Sequence, residues 1–279
     1  MDRRRFLLAL AAGLATVATG HGMATGTRAG EAVPLAGPRP APAPRPAPDD
    51  AVHPSGPVDP PTGVVTGLPG EGTSLALTID DGTSSDVVGA FAALAADSGV
   101  RLTFFPNGRY RSWTDHAPAL RRLADAGQIS FGNHTFSHPD LTTLDDAAVA
   151  EEIRRNRDFL QDTFGAGDTP FLRPPFGAHD GRTDAIAADL GHPTIAMWNG
   201  TLGDARVLSA AELLGHAREW FTAQTIVVGH ANHPTVTTVY GELLELIQDR
   251  GLRTVTLADV WATPGQRFRG VSAATSLPA

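Results

Sequence analysis

Ser74-Leu75-Ala76-Leu77-Thr78-Ile79-Asp80-Asp81-Gly82 decides the architecture. Six residues that are mostly apolar or β-branched read as a buried strand, which stops at two acids and a glycine. A helix follows at once. Ser85 caps it, Val87, Val88, Phe91, Leu94 and Ala95 recur at helical spacing, and Gly99 ends it. A strand followed directly by an amphipathic helix is the building unit of a parallel sheet.

The same unit recurs downstream. Residues 101–105 predict a strand, 115–126 a helix ended by Gly127, and 128–131 a short strand running into Gly132-Asn133-His134-Thr135-Phe136-Ser137-His138-Pro139-Asp140. Thr143 and Asp146 resemble a capping box for a long helix reaching Phe164. Phe171 and Leu172 form a short strand before Arg173-Pro174-Pro175-Phe176-Gly177. A helix over 183–190 leads to a strand over 194–198, and Ser209 with Glu212 opens a helix to about residue 223. The strand over 225–228 ends at Gly229-His230, a helix spans 236–249, and the last strand covers 253–256 before a turn at 257–262. About seven repeats in one domain predict an α/β fold, a distorted parallel (β/α) barrel. An open doubly wound sheet is the competing arrangement. The domain is expected to span 71–263.

Upstream, Arg3, Arg4 and Arg5 precede an apolar run over 6–18 that is short for a bilayer span. Residues 1–24 are therefore expected to be an export signal, and Arg3-Arg4-Arg5-Phe6-Leu7 looks like the twin-arginine type. Residues 25–70 are rich in proline, alanine and glycine, without apolar periodicity, which predicts an unstructured linker. Residues 264–279 are expected to be a loose tail. A secreted or cell-envelope location follows, with no membrane insertion of the mature domain.

Composition narrows the chemistry. With 42% hydrophobic residues in 279, the chain has ample material for one core. Cysteine is absent, which removes disulfides, thiolate metal sites and thiol nucleophiles. All 22 basic residues are arginine, so Schiff-base chemistry and a phosphate-loop lysine are excluded as well. A formal charge of -8 disfavours nucleic acid and anionic membrane surfaces as partners. A monomer is expected.

The reactive residues share a position in the pattern. Asp80 and Asp81 close the first strand, His134 and His138 follow the third, Arg173 the fourth, Trp198 to Asp204 the fifth, and His230 the sixth. In a parallel barrel all these ends open on one rim, where active sites are built. His134, His138 and one aspartate would give a metal three protein ligands and leave room for water or substrate, as in catalytic rather than structural sites. Nitrogen and oxygen donors suit zinc, cobalt or another first-row divalent ion, zinc first. Adjacent Asp80 and Asp81 would face opposite ways on an extended strand, but a turn at Gly82 can redirect one, so that one ligates and the other acts as base. Arg173 would keep a neighbouring carboxylate ionised.

Other polar residues carry less. Trp198 fits either a sugar platform or the core, and Trp113 and Trp220 read as core or platform. Asp204 is either an orienting partner of His230 or a surface acid. His233 competes with His230, while His116, His179, His192 and His216 read as surface or satisfied core residues. No G-x-S-x-G elbow is present, so a serine acyl-enzyme has no support.

Taken in order, Thr78-Ile79-Asp80-Asp81-Gly82, His134-Thr135-Phe136-Ser137-His138, Arg173-Pro174-Pro175-Phe176 and Val228-Gly229-His230 resemble the polysaccharide deacetylases, the NodB-homology enzymes of carbohydrate esterase family 4. The resemblance covers about residues 74–262 and four motifs. It implies that Asp80 is the catalytic base, that Asp81, His134 and His138 hold one divalent metal ion, that Arg173 orients the base, and that His230 is the acid. By the same resemblance the Phe176 backbone N–H and the Val228 side chain contact substrate. Ala205 departs from the family's fourth motif, where an aromatic is usual, while Phe176 replaces a tyrosine and Val228 a leucine. The implied activity is hydrolysis of N-acetyl groups of amino sugars in a glycan such as peptidoglycan or a chitin-like polymer. The alternatives are an O-acetyl esterase or small-amide hydrolase on the same site, or a catalytically weak glycan-binding module.

Overall fold

The computed structural model describes residues 58–261. The expected leader and tail, and the expected linker up to residue 57, lie outside the described residues. In chain order the elements are β1 (Gly63–Val65), β2 (Ser74–Asp81), α1 (Ser85–Ser98), β3 (Leu102–Pro106), α2 (Ser112–Asp115), α3 (Ala117–Asp125), β4 (Ile129–Phe131), α4 (Asp146–Phe164), β5 (Phe171–Leu172), α5 (Gly181–Asp189), β6 (Thr194–Ala196), β7 (Gly200–Thr201), α6 (Ala210–Trp220), β8 (Thr225–His230), α7 (Tyr240–Asp249), β9 (Arg253–Thr254) and α8 (Leu257–Val260). Short 3-10 turns stand at Leu141–Thr143, Pro175–Gly177 and Pro234–Thr238.

Every named pair of strands is parallel. β2 is central, with β3 then β4 on one side and β8 then β7 on the other. A second sheet runs β1-β6-β5. The two meet where Asn133 N donates to Phe171 O at 2.9 Å and Arg173 N donates to Asn133 O at 2.8 Å, so the chain beyond β4 pairs with β5. On the far side the chain passes from β6 directly into β7, which pairs with β8. The ring is therefore a distorted (β/α) barrel, as the repeats predict, and not an open sheet.

Side-chain alternation divides the barrel into an inside and an outside. Leu75, Leu77 and Ile79 of β2 join Phe104, Val227 and the buried faces of α1, α3, α6 and α7 in the larger core. Ala76 points the other way, into a cluster with Phe105, Phe171, Ala196, Ile226 and Leu257 that fills the barrel. Asp80 lies four residues further along the inner side, at the mouth.

Several expectations are corrected. Part of the expected linker is folded: β1 pairs with β6, Val65 O accepts from Met197 N at 2.8 Å, and Leu68 is buried with its N–H on Gln224 O at 3.0 Å. This segment covers the seam between β6 and β8. Three strand residues among prolines and glycines show no periodicity, so tertiary pairing decides them. β9 does not extend the ring but pairs with Ser74 and Leu75, before β3 takes over the same edge at Leu77. The helix expected over 115–126 is broken at His116 into α2 and α3. Asp145, not Thr143, caps α4, and Ser84, not Ser85, caps α1. The Ser209–Glu212 capping box forms as expected.

Candidate metal centre at the barrel mouth

β2 delivers two adjacent carboxylates. Asp80 keeps the inward side of the strand, in register with His230 of β8. Asp81 has a φ of 69°, a left-handed conformation that side chains with a Cβ rarely hold. This breaks the alternation, and both acids reach His134 Nε2, Asp81 Oδ1 at 3.3 Å and Asp80 Oδ2 at 3.9 Å. Trp113 Nε1 holds the turn by donating to Asp81 O at 2.8 Å. At Gly82, φ 96°, a Cβ would overlap that same indole.

The loop after β4 supplies the two imidazoles. His134 Nδ1 lies 2.6 Å from Arg173 O, and a carbonyl only accepts, so in the neutral ring Nδ1 carries the proton and Nε2 is free to ligate. Behind the loop, Asn107 Nδ2 donates to His134 O at 2.6 Å. Ser137 is held through its N–H and hydroxyl, each 2.7 Å from the Glu152 carboxylate. Thr135 and His138 also have positive φ, at 62° and 65°. Strain concentrated in this way is a mark of functional sites.

Asp81 Oδ1 is 3.3 Å from His134 Nε2 and 3.2 Å from His138 Nε2, and the three donor atoms lie within 4.8 Å of one another. That oxygen is buried and has no hydrogen-bond partner among the described residues. A buried orphan oxygen faced by two imidazole nitrogens fits a divalent cation with nitrogen and oxygen ligands. The electrostatics agree. Burial works against charge on Asp81, yet the facing histidines hold its carboxyl well below the usual range. Burial also works against the His134 imidazolium, but Asp80 and Asp81 outweigh it and raise its pKa. The pocket therefore draws positive charge, as protons or as a metal.

Asp80 is held from the side opposite the imidazoles. Arg173 is fully buried, and its Nη1 donates to Asp80 Oδ1 at 2.8 Å and to Thr78 Oγ1 at 2.6 Å. Nε donates to Ala196 O at 2.7 Å, and the guanidinium lies 4.2 Å from the Phe105 ring centre. Burial pulls the Arg173 pKa down against the opposing pull of Asp80. A second carboxylate–base pair stands on the neighbouring strand β8: His230 Nδ1 sits 2.9 Å from Asp204 Oδ1. His230, not His233, makes this contact.

The remaining expected residues surround the mouth. Phe176, φ 61° and 72% exposed, packs its ring edge-on to His138 at 4.6 Å. Trp198 is half-buried, 5.6 Å from the Arg173 guanidinium. Val228 is buried on the inward side of β8, opposite Thr78. Trp113 is core, and His192 is a satisfied core residue bonded to Thr169 O, its pKa lowered to about 4 by burial. Sequence reasoning misses Asn232, whose Nδ2 donates to Asp81 Oδ2 at 2.6 Å. It also misses Asn107 and Glu152. These residues act on the site through hydrogen bonds that no spacing reveals.

The polysaccharide deacetylase family profile matches residues 68–195. An uncharacterized protein of Streptomyces coelicolor is 33% identical over 187 residues, which cover 65% of this chain and 70% of that protein. A chitin deacetylase of Arthroderma benhamiae is 28% identical over 68% of this chain and 52% of its own length. The chain thus spans about half the length of the first curated relatives it matches. Among solved structures, the chitin deacetylase of the fungal pathogen Colletotrichum lindemuthianum superposes with a TM-score of 0.64 at 23% identity, over 74% of this chain and 95% of that one. That likeness shows a shared fold. Motif order, barrel and relatives converge: the chain belongs to the polysaccharide deacetylase family.

Proposed function

We propose that the protein is a metal-dependent deacetylase that hydrolyses N-acetyl groups of amino sugars in a glycan, peptidoglycan or a chitin-like polymer. The observation that carries this reading is the convergence of Asp81, His134 and His138 on one point, with the Arg173-held Asp80 and the Asp204-held His230 at the same strand ends. When bound, a divalent ion supplies Lewis-acid polarisation of the acyl carbonyl and makes water more acidic. Zinc is the first choice for this donor set, cobalt the second.

This chain's residues do the rest. Asp80 takes the proton of the attacking water, a contribution of about two to four decades for a placed general base. Arg173 fixes one oxygen of Asp80, leaving Oδ2 turned toward the metal ligands. His230 donates a proton to the departing amine. An amine leaves poorly unless protonated, so an imidazole held in place by Asp204 suits an amide substrate. Phe176 and Trp198 offer apolar surface to a sugar, and Val228 a wall for the acetyl methyl. The Asp204–His230 pair weighs against a purely binding role, despite Ala205 in the eroded fourth motif.

The basic start and the apolar run over 6–18 support export by the twin-arginine route to the cell envelope or beyond. The deciding experiment is metal analysis of the purified protein combined with acetate release from N-acetylated amino-sugar oligomers, acetylated xylan and small amides. Release from the oligomers alone is the expected result. Release from xylan alone moves the activity to O-acetyl esters, and glycan affinity without turnover in metal-loaded protein removes the enzyme reading.

A further inference from the structure

Asn232 lies two residues beyond His230, in the loop that follows β8, and it touches the acid that the metal reading assigns as a ligand. Its Nδ2 donates to Asp81 Oδ2 at 2.6 Å. The orientation of the amide follows from its other end. Oδ1 accepts from Thr83 N at 3.1 Å and from Thr83 Oγ1 at 2.9 Å. A backbone N–H only donates, so the oxygen must face Thr83 and the NH2 must face Asp81. Asn232 is thereby clamped between the two residues that flank Gly82.

The consequence falls on Asp81. One carboxylate oxygen is occupied by Asn232, and the other, Oδ1, is buried without a hydrogen-bond partner among the described residues and faces both imidazoles. We infer that Asn232 is a positioning residue that ties down Oδ2, so that Asp81 presents a single oxygen to the ion. The inference rests on the metal reading above and deepens it. Asp81 needs such a tether because its backbone is already in a strained conformation, φ 69°, held otherwise by the Trp113 bond to its carbonyl. That bond fixes the main chain and leaves the carboxylate free to rotate. Without Asn232 both oxygens can turn to the ion, or Oδ2 can turn to water, and the coordination number changes. Partners that orient metal ligands in this way are worth about 10–100-fold in affinity. Because Asn232 follows His230, the last residue of β8, by two residues, the ligand and the acid are anchored together.

The test is metal binding by the whole protein, without substrate. Asn232→Leu removes the donor at similar bulk, and Asn232→Ala serves if the leucine variant does not fold. Zinc affinity by chelator competition is expected to fall at least tenfold, while the melting temperature of the metal-free protein stays within a few degrees of wild type. Cobalt-loaded protein gives the second readout: the variant's visible absorption is expected to weaken as coordination rises. Affinity within twofold of wild type together with an unchanged cobalt spectrum overturns the inference. Wild-type protein that binds neither ion overturns the metal reading itself.

Discussion

His230 Nδ1 lies 2.9 Å from Asp204 Oδ1, and the backbone N–H of the same histidine donates to Asp204 Oδ2 at 3.2 Å. A buried carboxylate thus grips both the ring and the main chain of the proposed acid. Burial works against the imidazolium, but the Asp204 hydrogen bond and the charges of Asp80, Asp204 and Asp81 outweigh it and raise the pKa from 6.5 to about 9.

The first prediction follows from that sign. An acid with a raised pKa stays protonated at neutral pH and loses its proton as pH climbs toward 9. A divalent ion at Asp81 opposes the rise, so the alkaline limb of kcat in loaded enzyme is expected between 6.5 and 9. Asp204→Asn removes a charge and should move that limb to lower pH. For the metal-free protein, linkage has a definite direction: the stabilisation from this pair is complete below pH 6.5 and disappears as pH rises through about 9. Rate profiles and melting curves of both proteins check this. An identical alkaline limb in the variant would remove Asp204 from the positioning role.

Arg173 gives a second prediction. Its guanidinium is fully buried with partners on β2, β6 and the chain just beyond β6, and Asp80 depends on it for neutralisation. Removing one member of a buried ion pair costs about 3–5 kcal/mol because the other charge is stranded. Arg173→Met should therefore lower the urea midpoint strongly, and lysine should restore little, since one ammonium cannot reproduce the planar fork. The double variant Arg173→Met, Asp80→Asn should recover most of the stability and none of the activity. A double variant as unstable as the single one would show that the pair is not the source of the loss.

Asp80 itself separates catalysis from binding. Its carboxylate is 3.9 Å from His134 Nε2, outside the group of donors formed by Asp81, His134 and His138. Asp80→Asn is expected to keep zinc within a few-fold of wild type and to lower kcat by at least about a hundredfold, the lower end of general-base contributions. Metal lost in parallel with activity would reassign Asp80 as a ligand.

How much of this is legible in the sequence depends on the range of the interaction. β2 is readable because its apolar run is local, and Asp80, Asp81, His134, His138, Arg173 and His230 are readable because each follows a strand end, which the barrel gathers on one rim. The redirection of Asp81 is only half visible: Gly82 signals a turn, but the bond from Trp113 that holds it spans 32 residues. Asn232 meets Asp81 across 151 residues once β8 lies beside β2, and Asp204 meets His230 across 26 once β7 lies beside β8. β1 escapes for a related reason. Gly63–Val65 is too short to show a period and becomes a strand only because the edge of β6 is open to it.

The last prediction concerns metal and protons together. In the metal-free pocket the Asp80 and Asp81 charges raise the pKa of His134 despite its burial. A ligand must be neutral imidazole, so a proton held there has to leave as the ion enters. Zinc affinity should therefore strengthen with rising pH through the imidazole range, and titration in buffers of different ionisation enthalpy should report proton release. His134→Ala removes both a ligand and the proton it holds, so the variant should lose high-affinity zinc along with the released proton. Affinity that is flat in pH, with no proton release, would place the ion somewhere other than between Asp81, His134 and His138.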